Sequence, residues 1–447
     1  MGYDMTVGKP LRVILRFMIP LLIGNIFQTL YNMVDTMIVG RFVGANALAA
    51  VGSTGTIMFM VMGTTMGLTQ GVTILTSQRF GAGDADGVKR SVANGSLLVV
   101  CTAALMTVLS LSVIRGLLRL INTPAEIYDD AYAYISVICT FIICNVAYNF
   151  LSSLLRAIGN SRVPLYFLIF SAFLNIFLDL IFIVNFGRGT RGAAEATVLS
   201  QAIAALLCGV YIFRKGKILL PSRDMLHFDR EISGQQLKMA IPMALQFAIT
   251  ASGTVIMQSA LNLFGATAVA AVSSANKYHN LVMQGMFALG ATMSAYVGQN
   301  FGKKELGRIR TGVRTAVTIA VVYGIVAGIL VMLFHRQALS LFFASDMDMD
   351  SLLVYATPYL SMISMCFVPL GMIFIFRNSM QGCGYSFLPM MVGVMELVFR
   401  IAAAAASMAL GSFLLAAACD PLAWIGAGVF SVLAYRSVIR RVEASPV

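Results

Sequence analysis

Two aspartates stand in stretches of sequence that otherwise carry no charge: Asp35 in QTLYNMVDTMIVG and Asp179 in LNIFLDLIF. A carboxylate among apolar neighbours loses its water, which penalises the ionised form, and a second carboxylate nearby adds to the penalty. Such a pair suits a group that takes up and releases a proton near neutral pH. It equally suits a sodium ion, because carboxylate, amide and hydroxyl oxygens are hard ligands. Gln28 and Tyr31 precede Asp35 by seven and four residues, and Asn175 precedes Asp179 by four. Each set therefore shares one helical face. The plainer alternative is that each aspartate is satisfied by a helix neighbour and is only structural.

A second group lies further along the chain. Glu396 and Arg400 are spaced i, i+4 in the order that favours an ion pair. Lys277, with His279 close by, also falls inside an apolar stretch. Asn145, Tyr148, Asn149 and Ser152 form a polar stripe that suits either lining a cavity or bonding between helices. Pro20 stands fifteen residues before Asp35 and removes one backbone hydrogen bond there, so it is read as a hinge or as a static kink.

The elements that hold these residues follow from composition. Of 447 residues, 59% are hydrophobic and only 11% charged, against about 25% charged in a soluble protein. That excludes an ordinary soluble enzyme, a disordered chain and a solvated scaffold, and it defines an integral membrane protein. Twelve apolar segments, at roughly 17–40, 47–76, 92–120, 131–154, 163–186, 192–213, 239–262, 267–298, 315–334, 351–376, 387–410 and 413–435, read as spanning helices. Only helices cross a bilayer in series with such short connections. No GxxxxGK[ST] occurs, so any transport draws on an ion gradient rather than on a nucleotide. The seven cysteines are scattered and indicate neither disulfides nor zinc.

The net charge of +12 reads as topology, with no role for nucleic acid. With the N-terminus inside, the inner face carries 23 of the 31 Lys and Arg residues, while Lys277 and Arg400 lie in spans. Both termini are therefore expected in the cytoplasm, in a multi-pass cell (inner) membrane protein. The chain also repeats. MIPLL (18–22) and GANALAAV (44–51) resemble AIPMAL (240–245) and GATAVAAV (265–272). SQRFGAGDADGVKR (77–90) resembles GQNFGKKELGRIR (298–310), and RAIGNSRVP (156–164) resembles QGCGYSFLP (381–389). The expected fold is all-α, with twelve transmembrane helices in two pseudo-symmetric six-helix lobes: 1–213, a cytoplasmic linker 214–238, and 239–447. Such parallel repeats are one transporter architecture, with substrate held between the halves. By the repeat, Met257 and Ala404 stand where the first lobe has Asp35 and Asp179.

These features together resemble the multidrug and toxic compound extrusion (MATE) transporters. The Val34-Asp35 pair, the Gln-x-Phe-Gly segments after spans 2 and 8, and the twelve spans carry the resemblance across nearly the whole chain. Asn175-x-x-x-Asp179 points to the DNA-damage-inducible branch. The resemblance implies a cation-coupling group of Asp35, Asn175, Asp179 and Thr197. It adds Tyr134 to Gln28 and Tyr31 as cavity residues; Asn145 and Asn149, from the polar stripe, are further substrate-binding candidates. Lys277, Glu396 and Arg400 lie outside that pattern. The implied function is antiport: export of organic cations in exchange for protons or sodium by alternating access. No other cofactor is implied, and no metal beyond a possible sodium ion at Asp35 and Asp179. The working unit is a monomer in the lipid bilayer. A flippase for lipid-linked precursors is the alternative; it would want more membrane cations than Arg400 and Lys277.

Overall fold

The computed structural model describes residues 2–121, 123–340 and 349–444, which fold as helices with no strand among them. In chain order these are α1 (Pro10–Phe42), α2 (Ala45–Ser53), α3 (Gly55–Gly81), α4 (Ala85–Leu120), α5 (Ala125–Thr140), α6 (Ile142–Ala157), α7 (Arg162–Asp179) and α8 (Gly189–Lys215). The second half continues with α9 (Arg230–Leu261), α10 (Gly265–Gly302), α11 (Leu306–Ser340), α12 (Met349–Met365), α13 (Phe367–Gly382), α14 (Phe387–Leu410), α15 (Phe413–Ala417) and α16 (Cys419–Ala444).

Among the described residues, nine helices are long and apolar enough to cross a membrane, or eleven when each bent pair counts as one span. One of these is the 73-residue stretch Arg230–Gly302. At 1.5 Å per residue it runs to about 110 Å, far more than one bilayer of about 30 Å. Gly265, at φ 84°, divides it into α9 and α10. Counted as two, these complete the expected twelve crossings.

The bent pairs sit at matching places in the two halves. α5 and α6 meet at 49°, and α12 and α13 meet at 48°. Pro369 lies in the first turn of α13, where the N–H it lacks would have had no helical partner. The repeat also recurs in the backbone. Gly159 and Gly384, equivalent in RAIGNSRVP and QGCGYSFLP, have φ of 81° and 86°. A side chain is strained in that conformation, and at Gly159 a Cβ would also overlap the Tyr3 carbonyl oxygen.

The chain forms two compact units, Met1–Val7 with Ile19–Phe247, and Gly8–Met18 with Ala248–Val447. The division falls inside helices. α1 changes unit two residues before Pro20, and α9 changes unit five residues after Pro242. The stretch expected as a linker is tied to the first unit. Asn94 Oδ1 accepts from the Asp229 N–H at 2.8 Å and the Ser233 hydroxyl at 3.0 Å. Gln236, fully buried, donates to the carbonyls of Val72 at 3.2 Å and Ser91 at 2.7 Å.

The first half of α9 packs on the glycine stripe of α3. A Cβ at Gly67 would stand 2.7 Å from the Met243 carbonyl oxygen, and one at Gly71 would overlap Ala240 Cα. Small residues let helix backbones approach this closely in a membrane. Gly71→Leu is therefore expected to eliminate the monodisperse peak in size-exclusion chromatography of detergent extracts. Gly116→Leu in α4, where a Cβ meets nothing within 4 Å, should leave it intact. Equal behaviour of the two variants would contradict the packing described.

Candidate functional site

Asp35 lies in α1, 7% exposed, and Asp179 closes α7 with no exposure at all. Their carboxyls lie within side-chain hydrogen-bonding reach of each other. Neither donates while ionised, and Asp35 Oδ1 and both Asp179 oxygens are buried without a described partner. One proton held between them would give the pair the donor it lacks. A π-helical segment, Leu180–Asn185, begins directly after Asp179. Such segments are frequent at functional sites.

The polar surroundings come from α1, α5, α7 and α8. Asn175, one turn before Asp179, donates through Nδ2 to the Thr197 hydroxyl of α8 at 3.4 Å, leaving its Oδ1 buried and unpartnered. Tyr31 interacts electrostatically with both aspartates, and its hydroxyl meets the side chain of Gln201. Tyr134 of α5, buried, interacts with Asp35, Asp179 and Tyr31. The first unit thus gathers Asp35, Asp179, Asn175, Thr197, Tyr31 and Tyr134 in one place. Carboxyl, amide and hydroxyl oxygens in that setting fit a proton or a sodium ion. Gln201 was not singled out from the sequence, although it follows Thr197 by four residues on the same face of α8.

Gln28 is exposed on α1. Asn145 and Asn149, both half-buried, bond along α6: Asn149 Nδ2 donates to Asn145 Oδ1 at 2.8 Å and to its carbonyl at 3.0 Å. Tyr148 donates to the Pro164 carbonyl at 3.4 Å, which fastens α6 to the start of α7. Pro20 is buried inside α1.

The second unit holds a larger ionic cluster than the expected pair. Glu396 and Arg400 of α14 approach at 3.6 Å. Arg377 of α13 reaches Glu396 at 3.8 Å, and Arg400 Nε donates to Asp420 at 2.8 Å. Arg377 falls one residue beyond the expected span 351–376. α13 instead runs on to Gly382 and holds the Arg377 side chain at 11% exposure. The cluster has two positive and two negative groups, and it ties α13, α14 and the first turn of α16 together. Gly253 leaves room for it, because a Cβ there would stand 2.8 Å from Arg400 Nη1. Lys277 lies on an exposed face of α10. His279, two residues on, is buried in a stack between Phe367 at 5.5 Å and Trp424 at 5.4 Å.

A two-part repeat of bent membrane helices, with a buried carboxyl pair in one part, defines a membrane transporter of the twelve-helix, two-lobed class. The MatE family model matches residues 20–181 and again 242–405, one match in each half of the repeat. The chain belongs to the MatE (multidrug and toxic compound extrusion) family of transporters, and it is not an enzyme. It is 30% identical over 383 residues to "Probable multidrug resistance protein YpnP" of Bacillus subtilis (strain 168), covering 86% of this chain and 85% of that protein. It is 28% identical over 225 residues to "DNA damage-inducible protein F" of Escherichia coli (strain K12), covering 50% and 46%. Among solved structures, a MOP superfamily transporter from Pyrococcus furiosus Vc1 shares the fold with a TM-score of 0.93 at 23% identity, covering 99% of both chains.

Proposed function

We propose that this transporter is an antiporter that exports organic cations in exchange for protons or sodium. It works as a monomer in the cell (inner) membrane with both termini in the cytoplasm. The observation that carries the reading is the buried Asp35–Asp179 pair, with three unpartnered carboxyl oxygens beside the Asn175–Thr197 hydrogen bond. An ion taken up from outside neutralises the pair and favours the state that releases drug outward. Its loss to the inside accompanies the reset. An ion drives this cycle only through different affinities for the two states. The two lobes, 1–213 and 239–447, are the bodies that alternate, with Pro20 as a hinge in α1. Gln28, Tyr31, Tyr134, Asn145 and Asn149 are the substrate-facing group.

Of the candidates Lys277, Glu396 and Arg400, the last two, joined by Arg377 and Asp420, form a tie between helices rather than a coupling site, because two positive and two negative groups already balance there, while Lys277 stands on an exposed face of α10. The same balance weighs against a flippase for lipid-linked precursors, which needs free positive charge to hold phosphate. The deciding experiment uses proteoliposomes with proton and sodium gradients imposed separately and a fluorescent organic cation as substrate. Accumulation above equilibrium under one gradient is expected. Accumulation under neither would overturn the antiport reading.

A further inference from the structure

The first unit carries an open groove of about 770 Å³ between α6 and α8, lined by none of the residues gathered around the aspartate pair. Its floor is low because Ala147, Ala202, Ala205 and Gly209 have little side chain, and Phe213 stands exposed on its wall. One end lies at Ile143, two residues past the α5–α6 bend at Phe141. The other end is Arg214, in the last turn of α8, followed by Lys215. No described ion pair includes Arg214.

The dimensions match one leaflet. From Ala202 to Arg214 the helix rises about 18 Å, and half of the hydrocarbon core is about 15 Å. The groove thus runs from the region of the membrane midplane to the headgroup level, apolar throughout and cationic only at its end. We propose that it is a binding site for a phospholipid with an anionic headgroup, one acyl chain lying in the groove and the phosphate at Arg214. A groove in the second unit provides a contrast. It is larger, about 900 Å³, and is lined by Tyr278, Tyr323, Thr315, Thr318 and aliphatic residues, with no charged side chain in its lining. It offers an acyl chain the same apolar contact but gives a headgroup nothing to recognise.

The test is native mass spectrometry of the full chain, purified in detergent and exchanged into an equimolar mixture of phosphatidylglycerol and phosphatidylcholine with identical acyl chains. A basic residue near the headgroup level is expected to give about a fivefold preference for retained phosphatidylglycerol. Arg214→Gln should bring that preference to parity. Gly209→Leu should remove the retained lipid whatever its headgroup. A Cβ at Gly209 meets only Leu151 Cδ1, at 3.8 Å, so the fold has room for it. Ala202→Phe fills the same groove if Gly209→Leu does not fold. Equal retention of the two lipids by the unaltered chain would overturn the proposal. So would retention unchanged in the groove-filling variants, which would mean that lipid binds only as general boundary lipid.

Discussion

Asp35→Asn is expected to reduce gradient-driven accumulation of an organic cation in proteoliposomes to the equilibrium distribution, while the protein still folds and still binds the cation. A tenfold proton gradient corresponds to about 1.4 kcal/mol. A one-for-one exchanger therefore sustains up to about tenfold accumulation, and an uncoupled carrier sustains none. Asparagine keeps the shape of the side chain and supplies an N–H that Asp179, fully buried and unpartnered at both oxygens, would accept. The variant thus resembles the ion-loaded pair held permanently. It has no loading and unloading step, so the gradient no longer favours either state.

The measurement separates coupling from binding. Binding of the fluorescent cation to the detergent-solubilised variant should weaken toward that of the ion-loaded protein but remain measurable, and exchange of labelled for unlabelled cation across the vesicle membrane should persist. Only net accumulation should disappear. Asp179→Asn is expected to do the same, because the two carboxyls act as one site. Full accumulation by Asp35→Asn would show that the pair does not couple transport to an ion.

How much of this site the sequence revealed depended on the cost of charge in a membrane. Asp35 and Asp179 stood out because an ionised group within a span is expensive and rare. Helical spacing then placed Tyr31 and Asn175 beside them, and the structure brings all four together with Tyr134 and Thr197. Arg377 did not stand out, because it lies just past the apolar run 351–376, where charge is cheap and common, whereas Asp420 stands inside the run 413–435 and carried the same signal as Asp35. Arg377 lies in α13, beyond the 48° bend from α12, and Asp420 lies in the first turn of α16. Gln201 was hidden because α8 is rich in alanine, and composition does not tell its packed face from its lipid face. The polar composition of 214–238 suggested a linker between the lobes. Its attachment to the first unit depends on Asn94 and Gln236, far apart in sequence.

Arg400→Ala is expected to be the most destabilising single change in the second unit, costing about 3–5 kcal/mol, the range for breaking a buried ion pair by removing one partner. Arg400 uses different edges of its guanidinium for its two partners, Nε for Asp420 at 2.8 Å and Nη2 for Glu396 at 3.6 Å. Without it Asp420 is left uncompensated, and Glu396 keeps only Arg377 at 3.8 Å. Lysine presents a single ammonium group in place of this planar fork, so Arg400→Lys should recover one contact and only part of the stability. Arg400→Ala combined with Asp420→Ala leaves the neutral Arg377–Glu396 pair and should be more stable than Arg400→Ala alone. Thermal unfolding in one detergent of the unaltered chain, Arg400→Ala, Asp420→Ala and the double alanine variant closes a double-mutant cycle, with Arg400→Lys measured beside it. If the single and double alanine variants lost equal stability, Asp420 would owe nothing to Arg400. The cluster would then not be the tie that holds α13, α14 and α16 together.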